Sequence, residues 1–260
     1  MLRKMCLPIL VLAIIVPCLS AQTVDEIIAK NIQARGGAEK LKSVKTIKST
    51  ATMAMMGMEI PTTMVQKRPG MSRIEFTAQG MTGVVAYDGK QAWQIMPFMG
   101  KKDPELMSAD EAKEPEENSD IDGPLVDYKS KGHQVELLGK EKIEGTDAYK
   151  LKVTLKNGDV QTVYIDADSF LQIKEVQKRT IRGTEQQTES SIGDYKEVNG
   201  IMFPFAIESA VTGTDQKQKI TISTVELNVP ADDSLFKMPA AAPKADAPKP
   251  DAPKTDPPKN

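Results

Sequence analysis

Residues 148–166 read AYKLKVTLKNGDVQTVYID. Tyr149, Leu151, Val153 and Leu155 alternate with Lys150, Lys152, Thr154 and Lys156, so an extended chain puts the first set on one face and the second on the other. Asn157 and Gly158 supply the pair that a type I′ hairpin turn favours, and VQTVYID returns as the partner strand. The stretch is a half-buried antiparallel hairpin with one greasy and one wet face.

The same pattern spreads in both directions. Val135 with Leu137, and Ile201 with Phe203, Phe205 and Ile207, each share a face. Turn signals recur at Arg68-Pro69-Gly70, Gln79-Gly80, Asp88-Gly89, Glu144-Gly145, Asp166 to Ser169, Asn199-Gly200 and Thr212-Gly213. From Val44 onward the chain therefore reads as a meander of about ten to twelve antiparallel strands. Ahead of it, TVDEIIAKNIQARGG carries a capping box, Thr23 with Glu26. Its apolar stripe of Val24, Ile27, Ile28 and Ile32 runs up to Gly36 and Gly37, the pattern of a short amphipathic helix.

The meander is expected to break once, over about residues 97–132. This insert has a second capping box, Ser108 with Glu111, and a segment from Pro124 to Gly132 that reads as a short helix. It is strongly acidic but carries Phe98, Met99, Leu106, Met107, Leu125 and Val126. A polar segment with a few apolar anchors reads as a mobile cover.

The ends have a different character. MLRKMCLPILVLAIIVPCLSA has a basic start, an apolar run and small residues at Ser20 and Ala21, a secretory signal peptide over 1–21. Acylation at Cys18 is the alternative, against which Pro17 stands where a small residue is wanted. Both cysteines, Cys6 and Cys18, lie inside this segment, so the mature chain would have no thiol or disulfide in its oxidising destination. Removing Arg3 and Lys4 leaves 32 basic against 36 acidic residues, a net charge of −4, which argues against nucleic acid as a partner. The other end, about 240–260, repeats Pro-Lys-x-Asp units with almost nothing apolar to bury, and is expected to be a disordered, polyproline-like tail. Residues 22–239 remain as one folded domain.

Eleven or so strands, about 4.8 Å apart and about 20 Å long, give an apolar face of roughly 1,000 Å². A helix of about ten residues covers roughly a fifth of that, and soluble monomers rarely leave several hundred Å² of contiguous apolar surface bare. The sheet must either seal on itself or curl into an open half-barrel whose concave side holds an apolar ligand beneath the insert. Methionine usage bears on this choice. Of 14 methionines, ten fall between Met53 and Met107, and five lie in MAMMGMEIPTTM, residues 53–64. Methionine is unbranched and polarizable, and suits surfaces that repack around varied apolar partners. Gly57 is expected to turn this hairpin, with Met53 and Met55 on the face of Ile47.

The helix followed by ARGGAEKLKSVKTI, together with VVAYDGKQAWQIMP, DIDGPLVDYKSKGH, YIDADSFLQIK, GDYKEVNGIMFPFAI and VELNVPADDSLFKMP, resembles the LolA-like periplasmic outer-membrane lipoprotein-sorting proteins over about Val24 to Pro239. The resemblance implies a mainly β protein, an unclosed antiparallel half-barrel with an N-terminal helix and a helical lid. It also implies a soluble periplasmic carrier of lipid, or of lipidated protein through its acyl chains, working as a monomer between membrane-associated donor and acceptor proteins toward the outer membrane. The expected cavity wall is Ile47, Met53, Met55, Ile60, Met64, Val85, Trp93 and Ile95, and the lid is anchored by Leu106, Met107, Leu125 and Val126. The family's better-known carriers hold the lid with an arginine inside the barrel, and Arg73, on the face of Met71, is the candidate; pairing with Glu75 is its ordinary surface alternative.

Other chemistry has little to build on. With His133 as the only histidine and no mature cysteine, no nucleophile-base arrangement is expected, and no enzyme or cofactor is inferred. His133 reads as a strand-edge residue after Gly132. The run Glu111, Glu114, Glu116, Glu117, Asp120 and Asp122 lacks calcium-loop spacing and reads as a solvated lid surface. Met53 and Met55 could together hold Cu(I), but no histidine or cysteine joins them, so no metal site is assigned. The alternatives to a carrier are an envelope sensor or scaffold of the same fold whose greasy face closes on itself and, behind it, a methionine-based Cu(I) chaperone.

Overall fold

A computed structural model describes residues 22–181 and 183–240. The expected signal peptide and residues 241–260 of the expected tail lie outside the described residues. Two helices open the fold, α1 (Val24–Ala34) and α2 (Ala38–Ser43). Thr23 caps α1 in the expected box with Glu26.

Thirteen antiparallel strands follow, one more than the upper expectation. They are β1 (Thr46–Met55), β2 (Met58–Lys67), β3 (Met71–Ala78), β4 (Met81–Tyr87), β5 (Ala92–Met96) and β6 (Lys101–Leu106), then β7 (Gln134–Ile143), β8 (Thr146–Thr154), β9 (Val160–Asp166), β10 (Gln172–Ile181), β11 (Thr184–Val198), β12 (Ile201–Val211) and β13 (Lys217–Leu227). All belong to one sheet, ordered β6-β5-β4-β3-β2-β1-β13-β12-β11-β10-β9-β8-β7. The meander thus runs out to β6, jumps to the far edge, and returns until β13 pairs with β1. The sheet does not close, because β6 and β7 are its two edges.

Local chemistry explains the hairpins. Met56-Gly57, Gln79-Gly80, Glu144-Gly145 and Asn199-Gly200 place both residues at positive φ, the type I′ geometry that matches strand twist. The turn after β8 departs from expectation. Gly158 alone is left-handed there, Gly158 N–H donates to Leu155 O at 2.9 Å, and Leu155 N–H to Asp159 O at 2.9 Å. This is a type I turn closed by a glycine bulge, with Asn157 Oδ1 accepting from Asp159 N–H instead of taking the left-handed position.

The expected insert, residues 97–132, takes two corrections. Its first part forms edge strand β6, so the cover proper begins at Ser108. That residue caps α3 (Ala109–Asn118) through the expected box with Glu111. Residues 124–132 form successive turns instead of a helix, since Asp127 sits at φ 52° and interrupts right-handed winding.

The sheet's inner face is filled at one end. Ile27 and Ile28 of α1 pack with Leu125, Leu151, Val153, Val163 and Ile165. Leu41, Val44, Ile47, Val126 and Ile201 continue this core beneath α2. Arg68 fixes the intervening loop, its guanidinium donating to both Asp122 carboxylate oxygens at 2.6 and 2.7 Å and to the carbonyls of Val44 and Leu41. Burial pushes the Asp122 carboxyl up, but the Arg68 hydrogen bonds and the nearby charges of Arg68, Lys131 and Arg35 prevail and leave it below its ordinary value.

The outer face is not uniformly wet, contrary to the simple two-sided expectation. Across β2–β5 it carries Val65, Met71, Val84, Ala86 and Trp93. The chain after β13 straps over these residues. Phe236 is fully buried against Val65 and Met71, and its carbonyl accepts from Trp93 Nε1 at 2.7 Å.

Candidate functional site: a trough spanned by a polar crossbar

Beyond the filled end, the inner face stays open as a trough. Ser49, Ala51, Met53 and Met55 from β1, Thr62 and Met64 from β2, and Ile74 and Phe76 from β3 face Thr188, Ser190, Ile207, Ile220 and Ile222 from the other half of the sheet. That strands at opposite flanks line one space shows the sheet to be curled. The space is a cavity of about 670 Å³, and α3 roofs it with Glu111, Glu114, Pro115 and Asn118, one face of the helix, beside Met107.

Both walls tether α3 by polar contacts. On the first wall, Gln66 Nε2 donates to Asn118 O at 2.5 Å and Ser72 Oγ to Pro115 O at 2.7 Å. On the second, Lys113 pairs with Asp159 at 3.0 Å. Glu117 there gathers Arg179 Nη2, Gln177 Nε2 at 2.9 Å, and Gln161 Nε2 and Asn157 Nδ2 at 3.3 Å. Arg179 Nη1 lies 3.6 Å from Glu114. The helix is a crossbar, not a plug.

On the far side of the crossbar lies a second cavity of about 1070 Å³ with a different lining: Glu116, Glu117, Gln161, Glu175, Gln177, Arg179, Lys131 and Lys156, with the Pro69-Gly70 and Asp88-Gly89 turns at its edge. The two cavities share Glu114, Asn118, Gln177 and Arg179 as their partition. Burial raises the Glu175 carboxyl, which accepts from Gln172 Nε2 at 3.0 Å. His133 lines this cavity at the edge of β7, directly before Gln134, its Nδ1 accepting from Lys156 N–H, and burial lowers its pKa.

The sequence-derived wall divides into three groups. Met53, Met55, Met64 and Val85 line the apolar cavity. Ile47 lies in the closed core, and Ile60, opposite Met53 in register, is buried outside the lining. Trp93 and Ile95 are on the other face altogether. Because Val85 pairs with Gln94, and Val84 with Ile95, these two pack outward with Val84, Ala86 and Met238.

The lid anchors divide as well. Met107 reaches the cavity, Leu106 is exposed at the end of β6, and Leu125 and Val126 are core residues that pin the insert's far end. Phe98 pins the near end by packing on Phe76 with ring centroids 5.7 Å apart, over Gly83, where a Cβ would lie 2.8 Å from either of two Phe76 ring atoms.

Arg73 does not hold the lid. It lies on the outer face, pairs with Glu75, stacks over Trp93 at 5.5 Å and donates to Leu235 O at 2.9 Å, so it holds the C-terminal strap. The arginine inside the trough that grips the cover is Arg179. Nothing local marks it in VQKRT; only the register of β10, which sets Arg179 opposite Gln186 of β11 and its inner-face neighbour Gln177 opposite Gln161 of β9, brings it to Glu117. Ile74, Phe76, Ile220 and Ile222 were likewise missed, though their period-2 alternation was a usable signal.

Among the described residues no three His, Cys, Asp or Glu side chains come together to hold a metal ion, and no helix is long and apolar enough to cross a membrane.

These features define an architecture: an antiparallel sheet curled into an unclosed half-barrel, one end plugged by an N-terminal helix and the trough bridged by a short helix between its edges. That is the LolA-like fold. Solved structures share it at low identity. A LolA superfamily protein from Nitrosomonas europaea matches with a TM-score of 0.57 at 17% identity, covering 84% of this chain and 98% of that one. A DUF1329 family protein from Desulfovibrio piger gives 0.58 at 16%, with coverages of 82% and 97%. A structure described as an outer membrane lipoprotein-sorting protein domain from Vibrio parahaemolyticus gives 0.54 at 14%, with coverages of 80% and 94%. No protein-family model and no curated protein matches the sequence.

Proposed function

We propose that this protein is a soluble periplasmic carrier that takes up the acyl chains of a lipid or lipidated protein in the methionine-lined trough and hands them toward the outer membrane. One observation carries this reading: an apolar cavity of about 670 Å³, within the usual range for ligand sites, is left open beside a well-packed core and roofed by a helix with polar tethers. At about 0.8 kcal/mol per buried methylene, a twelve-carbon chain gains on the order of 10 kcal/mol before entropy costs. Release therefore calls for a competing acceptor, and uptake for a donor, both at a membrane surface. The carrier works as a monomer, with Arg179 and Glu117 as the cover's latch. The folds of the similar structures support the reading, as does the lipoprotein-sorting description of one of them.

The test is native mass spectrometry of protein isolated from periplasm, combined with titration of a fluorescent fatty acyl probe. Co-purifying lipid and saturable probe binding, weakened by Met53→Ala with Met64→Ala, are expected. Protein that carries no lipid and ignores the probe would sink the proposal.

A further inference from the structure

The trough has a capacity, and its walls set it. The apolar floor is continuous across the seam of the sheet: Ile220 and Ile222 of β13, Met53 and Met55 of β1, Met64 of β2 and Ile74 of β3. The other sides are polar. Overhead, α3 turns Glu111, Glu114 and Asn118 to the space, and the β11–β12 flank offers Thr188, Ser190 and Ser209, the two serine hydroxyls 2.8 Å apart. Hydrocarbon pressed against these groups strips their water without replacing its hydrogen bonds. Acyl chains are therefore favoured in a single layer on the floor.

Volume sets the same limit. At the packing density of a protein interior a methylene fills about 25 Å³, so a sixteen-carbon chain needs about 400 Å³, two need about 800 Å³ and three about 1,200 Å³. The cavity of about 670 Å³ takes the first chain with room for a polar link, and falls short of the second. Neighbouring space does not relieve this. The closed end is filled by Ile27, Leu151 and Val163, and the cavity beyond the crossbar is lined by Glu116, Glu175, Lys131 and Lys156, which hydrocarbon avoids. Nor does the roof rise freely. To make room, α3 must give up the buried bond from Ser72 Oγ to Pro115 O, together with its ties to Gln66 and Asp159 and the donors at Glu117.

We infer that the cargo is a single-chain acyl amphiphile, of the fatty acid or lysophospholipid kind, lying along the methionine floor beneath a closed α3, and not a lipid or lipoprotein terminus of two or three chains. This rests on the carrier reading and names the class of cargo within it.

The test offers the mature protein an equimolar mixture of palmitic acid, a palmitoyl lysophospholipid, the dipalmitoyl phospholipid with the same head and a tripalmitoyl lipopeptide, all presented in one detergent. Native mass spectrometry reads the adducts, and amide exchange follows residues 109–118. Single-chain adducts, one per protein, are expected to exceed two- and three-chain adducts by at least about tenfold, the effect of α3 giving up one to two net hydrogen bonds. Either single-chain ligand, or both, supports the inference and shows which head is tolerated. Exchange across 109–118 should stay unchanged or slow when one chain binds. Phe76→Ala with Met64→Ala, which widens the space, should bring the two-chain adduct to within about twofold of the single-chain one. Two- or three-chain adducts as abundant as single-chain ones in the unaltered protein, two fatty acids per protein, or protection lost across 109–118 on binding one chain, each overturns the inference and leaves the carrier reading standing. Absence of every adduct overturns the carrier reading itself.

Discussion

The two ends of the trough share one sheet face and differ in what covers them. At the closed end, α1 offers Ile27 and Ile28 to Leu151, Val153, Val163 and Ile165, all at most 5% exposed, with mostly branched side chains in fixed positions. At the open end, α3 reads ADEAKEPEEN and has no apolar stripe to offer; it is held by Gln66, Ser72, Lys113 and the donors around Glu117. Apolar burial yields nothing to water, whereas polar tethers can be exchanged for solvent at modest net cost. One cover is therefore part of the core, and under the proposed carrier function the other is the one that opens. The methionines lie under the polar-tethered one, where adaptable packing is useful.

Substitution should expose this contrast, most sharply in stability. Leu151→Ala at the closed end is expected to cost about 2–5 kcal/mol in denaturant unfolding. Met64→Ala at the open end, where the wall already faces a cavity, should cost far less while weakening acyl-probe binding; equal losses of stability would erase the distinction.

Next in size is the latch. Arg179→Met leaves Glu117 with only neutral donors and should loosen α3 by about 1–3 kcal/mol. Faster amide exchange across residues 109–118, with α1 unchanged, would report it; exchange rising equally in both would mean that α3 belongs to the core.

A smaller effect concerns the loop between the two covers. The Asp122 carboxyl sits below its ordinary 3.8 in the folded protein. Its pairing with Arg68 therefore contributes fully above that value, and the contribution is lost as pH falls through the folded one. Amide exchange in residues 120–128 should accelerate below about pH 4, and Asp122→Asn should remove that dependence. The smallest expected change is Met53→Leu with Met55→Leu. Volume is conserved, so stability should move by less than about 1.5 kcal/mol, while the range of chain lengths bound should narrow.

The sequence carried most of the fold because its signals are local. Period-2 alternation marks the strands, paired turn residues such as Asn199-Gly200 mark the hairpins, and two capping boxes mark α1 and α3. The site was less legible because it depends on which face points inward. In VVAY both alternating sets are apolar, so nothing in β4 or β5 says whether Val85 or Trp93 faces the trough; the pairing of Val85 with Gln94 decides it. Edge strand β6, KKDPEL, is charged and carries a proline, which disguised it as loop. Leu125 and Val126 were recognisable as anchors, but their partners on α1, α2, β8 and β12 are remote in sequence.

The seam between β1 and β13 has a consequence for how the chain acquires its shape. Every other strand pair in the sheet joins neighbours along the chain, whereas Ile47 meets Leu227 across nearly the whole domain. Each half of the meander can assemble from local hairpins, but uniting them must wait for the last strand. Such long-range pairing slows folding and leaves unpaired edges exposed meanwhile. A chain delivered from its N-terminus would present a raw β1 edge and a half-built greasy trough until its end arrived. The same apolar surface proposed to hold cargo would then be a hazard during biogenesis, calling for rapid delivery or a guardian that shields it.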